Sequence, residues 1–149
     1  MTSEGEPVFQ ARACGLVFHQ SKLLIQRKLN DAFWALPGGR IEPHEISSEA
    51  VVREFQEELG LLCTVERLVW VIENRFSHKG RLIYEVGFCF LLAPDQKQLA
   101  ELDMAAAGAA DLLEFRWIGE SELGTIQFKP EALRASLFSP PDRLVHLVS

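Results

Sequence analysis

Residues 39–61 read Gly39-Arg40-Ile41-Glu42-Pro43-His44-Glu45-Ile46-Ser47-Ser48-Glu49-Ala50-Val51-Val52-Arg53-Glu54-Phe55-Gln56-Glu57-Glu58-Leu59-Gly60-Leu61. Val51, Val52, Phe55 and Leu59 recur at helical spacing, which predicts an amphipathic helix over about Ser48 to Leu59. Ser47 stands where an N-cap belongs, Glu49 falls in the first turn, and Gly60 takes the position just past the end. At about 100° per residue, Glu54, Glu57 and Glu58 share an arc of roughly 100° beside the apolar stripe. Between Glu45 and Glu58 there are five glutamates and one arginine, a local charge of −4.

Like charges at helical neighbours cost about 0.2–0.5 kcal/mol each, so surface helices usually intersperse lysine with glutamate. Here only Arg53 relieves the cluster between Arg40 and Arg67. One reading is a plain acidic face. The other is an external cation, and oxygen donors without Cys or His suit a hard ion such as Mg²⁺, with Mn²⁺ as a substitute.

Upstream, Ala32 to Leu36 reads as a short aromatic strand halted by Pro37-Gly38-Gly39. Before it, Val8 to Arg27 reads as a hairpin turning at His19-Gln20-Ser21-Lys22. Downstream, Thr64 to Phe76 and Leu82 to Leu92 are two long strands joined through Lys79-Gly80. Pro94 to Asp111 is polar, then alanine-rich, and is expected to be a loop or a short helix. Leu113 to Ile118 is a further strand, Glu120 to Leu123 a helical turn, and Pro130 to Leu137 a helix stopped by Pro140-Pro141. Leu144 to Val148 is an apolar tail. The pattern predicts an α/β (α+β) fold, a mixed sheet packed against helices, forming a single domain over 1–149.

The chain has 149 residues, 15 Lys+Arg against 21 Asp+Glu, a net charge of −6, and 48% hydrophobic residues. That length can bury about 70% of its unfolded surface without disulfide or structural metal. No apolar run approaches the roughly 18–20 residues of a membrane span, and Met1 to Pro7 is acidic, unlike a signal peptide. Cys14, Cys63 and Cys89 are odd in number, widely spaced and set among apolar neighbours. They read as reduced, buried thiols, and a cytoplasmic location is expected. Without a Lys/Arg block, long nucleic acid is not an expected partner. A small anionic substrate is compatible with −6 only if something offsets the repulsion.

Gly39, Glu45, Arg53-Glu54-Phe55, Glu57-Glu58, Gly60 and Leu61 resemble the Nudix box of the Nudix hydrolases at every position. Such a match would arise by chance about once in ten million chains of this length. Looser likeness extends to Leu36-Pro37-Gly38 and to Glu114-Phe115-Arg116-Trp117-Ile118. The resemblance implies an α/β/α sandwich around a mixed sheet. It also implies hydrolysis of a nucleoside diphosphate linked to a group X by attack of water on phosphorus. In that reading Glu54, Glu57 and Glu58 hold Mg²⁺, a backbone carbonyl at Gly38-Gly39 adds a contact, and Glu45 pairs with Arg53, which orients carboxylates. The general base is one of the box glutamates or Glu101, Asp103, Asp111 or Glu114, with Glu114 nearest to the family's pattern.

Arg27 matches a phosphate-side arginine of relatives, against an ordinary exposed arginine. Phe33, Trp34, Phe76 and Tyr84 are candidate base-stacking aromatics, against core residues. His19, His44, His78 and His146 lack partner spacing. The subgroup marks for ADP-ribose, dinucleoside polyphosphate and coenzyme A hydrolases are absent; Asn74 to His78 holds neither the proline nor the tyrosine. The partner is expected to be a small nucleotide, and a homodimer is left open. Competing readings are a nucleotide-sensing module that kept the fold without the activity, and an enzyme removing RNA caps.

Overall fold

Residues 63–94 are rich in Val, Ile, Phe, Tyr and Trp, and they turn at Lys79-Gly80. Both turn residues adopt positive φ, 52° and 77°, the backbone sense that matches the right-handed twist of the flanking strands. The computed structural model describes residues 5–149. Its first half contains β1 (Val8–Leu16), β2 (Phe18–His19), β3 (Lys22–Lys28), β4 (Phe33–Trp34), β5 (Gly38–Arg40) and helix α1 (Ser47–Leu59). There follow β6 (Cys63–His78), β7 (Arg81–Pro94), α2 (Gln96–Ala100), β8 (Leu113–Ile118), β9 (Gln127–Phe128) and β10 (Val145–Val148). Short 3₁₀ helices lie at Ala109–Asp111, Glu120–Thr125 and Glu131–Ser136.

A mixed five-stranded sheet has the order β10-β6-β7-β1-β5. β1 runs parallel to β7 and antiparallel to β5, and β10 runs parallel to β6. β2, β3 and β8 form a second sheet, and β4 pairs with β9. One core lies on the α1 side, where Ala13, Phe90 and Leu92 of the large sheet meet Val51, Phe55 and Leu59. The other lies on the opposite side, where Leu16, Trp70 and Cys89 meet Leu23, Trp34, Ile118, Leu133 and Leu137. The fold is a mixed sheet packed between layers, as expected, with α1 and α2 on one side and, in place of an α-helix, 3₁₀ segments and the smaller sheets on the other.

Three expectations need correction. Val8 to Arg27 is not one hairpin: β1 enters the large sheet while β3 pairs with β2 and β8. β1 is hydrogen-bonded along both edges, to β7 and to β5, which a two-stranded hairpin cannot provide. Only Phe18–His19 folds back on Lys22–Leu23, across Gln20 and Ser21, both with positive φ. The helix cap is Ile46 rather than Ser47; its N–H donates to the Glu49 carboxylate at 2.9 Å, so the first-turn glutamate does the capping. The segment after Pro130 is a 3₁₀ helix of six residues, not an α-helix, its bonds closing over three residues, as from the Leu133 N–H to the Pro130 carbonyl at 3.1 Å. None of the described helices is long and apolar enough to cross a membrane.

Candidate active site on the acidic helix

The stripe Ala50, Val51, Phe55 and Leu59 is buried, which turns the acidic arc of α1 toward β5. Arg53 organises it. Its Nη2 lies 2.6 Å from Glu45 Oε1 and its Nε 3.0 Å from Oε2, a bidentate pair. Nη1 donates to Glu54 at 2.9 Å and to Glu57 at 3.3 Å, and Nη2 also reaches the Arg40 carbonyl at 3.1 Å. The hydrogen bonds from Arg53 and from the Glu42 N–H hold Glu45 down at about 2. Glu45, mainly, holds the Arg53 guanidinium charged above its ordinary range. A Cβ added to Gly39 would stand 2.4 Å from the Glu54 carboxyl carbon, so only glycine leaves Glu54 its place.

Glu58 differs from its neighbours. Burial first, then the neighbouring Asp111 carboxyl and the charges of Glu54 and Glu57, push it up to about 7. The segment carrying Asp111 is tied to α1 by the Gly108 N–H, which donates to the Glu58 carbonyl at 3.0 Å. Glu101 and Asp103 line a recess of about 370 Å³ with Glu58, Leu59 and Gly60. Glu58, Asp111, Glu101 and Asp103 therefore gather at the C-terminal end of α1.

The donor set suits a hard divalent cation: carboxylates from Glu54, Glu57, Glu58 and Asp111, with no thiol or imidazole among them. Carboxylates forced together, one of them with a raised pKa, are what a cation relieves. Among the described residues no three such side chains stand close enough to grip an ion as they are. Arg53 Nη1 bridges two of them, Glu54 and Glu57.

Glu114 and Arg27 face elsewhere. Phe115 packs in the α1-side core, so its strand neighbour Glu114 points to the other face of β8. There Arg27 Nε meets Glu114 Oε1 at 2.9 Å, and the guanidinium lies 4.5 Å over the Trp34 ring. These residues line a cleft of about 560 Å³ with Ala32, Arg116, Thr125 and Gln127. Lys129 Nζ lies 4.7 Å over Phe33. Phe76 and Tyr84 sit on the long hairpin of the large sheet; Tyr84 stacks on Phe9 and donates to Glu73, which also meets His146 at 2.6 Å. Among the described residues, neither Tyr84's stacking partner Phe9 nor its hydrogen-bond partner Glu73 belongs to α1.

The sequence reading missed two participants. Gln26 is a buried polar residue whose side chain reaches the Gly38 carbonyl; its signal was one polar residue closing the apolar run Leu23-Leu24-Ile25. Arg134 donates to the carbonyls of Leu123 at 2.6 Å and Ile126 at 3.0 Å, bracing the segment that walls the cleft; nothing local marks it.

A family model described as NUDIX domain matches residues 8–139. An ADP-ribose pyrophosphatase of Methanocaldococcus jannaschii is 42% identical over 63 residues, covering 40% of this chain and 37% of that protein. A human 8-oxo-dGDP phosphatase is 35% identical over 105 residues, covering 69% of this chain and 29% of that protein. The chain spans between 29% and 57% of the length of such curated relatives. Among solved structures, a MutT protein of Bacillus halodurans superposes with a TM-score of 0.65 at 17% identity, covering 92% of this chain and 86% of that one. An ADP-ribose pyrophosphatase of Streptococcus suis superposes with a TM-score of 0.59 at 18% identity, covering 94% and 98%. At these identities the structures speak for the fold.

Proposed function

The chain belongs to the NUDIX domain family, and on that premise we propose that it hydrolyses the diphosphate of a nucleoside diphosphate joined to a second group X. The observation that carries the reading is the acidic face of α1, held by Arg53 and Glu45 and seated against Gly39. Glu54, Glu57 and Glu58, with a carbonyl at Gly38-Gly39, would hold Mg²⁺ or Mn²⁺. When bound, the cation neutralises diphosphate charge and eases deprotonation of water.

The chain's own groups do the rest. Arg53 fixes Glu54 and Glu57 and does not reach substrate. A carboxylate of the Glu58–Asp111 pair takes the proton of the attacking water. The water oxygen bonds to phosphorus, the bridging P–O bond breaks, and the products are a nucleoside monophosphate and phosphorylated X. Arg27, poised over Trp34, offers its guanidinium to the phosphates.

Relatives named as ADP-ribose pyrophosphatase, 8-oxo-dGTP diphosphatase and CTP pyrophosphohydrolase set the panel to assay. Wild-type protein is incubated with ADP-ribose, nucleotide sugars, dinucleotides and (d)NTPs under Mg²⁺ or Mn²⁺, and products are separated. Monophosphate release from at least one class is expected. One observation favours a second reading, a nucleotide-binding module without turnover: Arg53 bridges Glu54 and Glu57, as it would in a site that takes no metal. Calorimetric binding of a panel member with no product under either cation would select that reading.

A further inference from the structure

Gln26 is the one polar or charged residue that is buried among the described residues, 7% exposed. Its backbone is fixed by two bonds to Ala35, each 2.8 Å. Its Nε2 donates to the Gly38 carbonyl at 3.5 Å, and its Oε1 is buried with no hydrogen-bond partner. The Gly38 carbonyl fixes the amide's orientation, because a flipped amide would set two oxygens against each other.

Strand alternation places this amide. Leu24, two residues earlier on β3, packs in the core formed by Val51 and Phe55 of α1, so Gln26 points to the α1 side. Phe115, its register partner on β8, lies in the same core. Gly108 packs so close to Phe115 that a Cβ there would come within 2.6 Å of the ring, and its N–H holds the Glu58 carbonyl. On the other side, Gly38 precedes Gly39, the residue against Glu54. A Cβ on Gly38 would meet the Ala13 carbonyl at 2.1 Å, so this backbone is clamped onto β1. The amide is therefore bracketed by the backbone leading to Glu54 and the backbone leading to Glu58.

A buried acceptor without a donor makes a poor packing residue; an apolar side chain of the same length would serve the core better. We propose that Gln26 is a positioning residue of the acidic site: Nε2 steadies the Gly38 carbonyl, and Oε1 accepts a hydrogen bond from a water held at the foot of the site. The inference rests on the cation reading above.

The test compares wild type with Gln26→Met, which keeps length and removes both polar atoms, and with Gln26→Leu as a second apolar variant. Binding of Mn²⁺ alone is followed by electron paramagnetic resonance, with thermal midpoints alongside and, on a substrate found in the panel, kcat and KM. The expected result is Mn²⁺ affinity and kcat lowered about tenfold or more, in the range typical of residues that support metal ligands. KM changes little, and the thermal midpoint holds or rises. If Gln26 only packs, both variants keep wild-type Mn²⁺ affinity, and the inference is overturned. Glu57→Gln separates the two failures. Mn²⁺ binding lost in Glu57→Gln but intact in both Gln26 variants overturns this inference alone; wild-type protein that binds no Mn²⁺ overturns the functional reading with it.

Discussion

Arg53 meets Glu45 through two nitrogens and turns its third, Nη1, to Glu54 at 2.9 Å. The only cation on the acidic stretch is thus fully engaged in holding carboxylates, with its side chain 23% exposed and that of Glu45 7%. Lysine cannot reproduce the fork. Arg53→Lys should lower kcat/KM by about tenfold or more, the equivalent of one charge-assisted hydrogen bond of about 1.5–3 kcal/mol. Steady-state kinetics at saturating Mg²⁺ check this, and unchanged kcat/KM would remove Arg53 from the site's machinery.

The same pair predicts acid sensitivity. Glu45 is held at about 2 against an ordinary 4.5, first by the Arg53 hydrogen bond. A depressed carboxylate stabilises the folded state above its ordinary pKa and loses that stabilisation as pH falls toward the folded value. Thermal midpoints of wild type and Glu45→Gln, scanned from pH 7 to pH 2, should differ in favour of wild type above about pH 4.5. That gap should close between about 4.5 and 2. A gap independent of pH would show that the pair is not its source.

Two glycines separate chemistry from folding. Gly39→Ala should fold with a near-native thermal midpoint, because the clash falls on a side-chain end that can move. Its activity should collapse, because that end is the Glu54 carboxyl. Gly60 has φ 64° with nothing within 4 Å of an added Cβ. Gly60→Ala should therefore cost about 1–2 kcal/mol of stability through the left-handed backbone and leave kcat of the folded protein intact. Denaturant melts beside kinetics distinguish them.

Arg27→Ala should raise KM more than it lowers kcat, since Arg27 lines the cleft with Trp34 and Glu114 rather than the acidic face. A fall in kcat with KM unchanged would place it at the reacting phosphorus instead.

The thiols should be silent. Cys14, Cys63 and Cys89 are all buried, and burial pushes Cys63 up to about 12. A thiol titration at pH 8 should find almost no reaction in native protein and three thiols after unfolding.

Local pattern made α1 legible from its first turn to Gly60, because helical spacing and the αL position after it are short-range signals. The cap was misplaced by one residue because Glu49, not a serine hydroxyl, satisfies the first N–H. The two long strands and their turn were equally local. What sequence could not reveal is pairing at a distance: β1 bonded to β7, Arg27 to Glu114 across 87 residues, and Asp111 brought beneath Glu58. Each of these depends on how strands separated in sequence come together in the sheets. The acidic site was therefore readable as a list of donors, whereas the separation of Glu114 from those donors by β8 was not.

We propose that hydrolysis by this protein depends on a cation held at the acidic face of α1. The most direct measurement is monophosphate release, on the best substrate of the panel, by wild type, Glu57→Gln and Glu58→Gln across a Mg²⁺ titration. Saturable Mg²⁺ dependence is expected in wild type, with turnover lowered about a hundredfold or more in both variants. Near-wild-type turnover by both variants, or turnover untouched by a chelator, would contradict it.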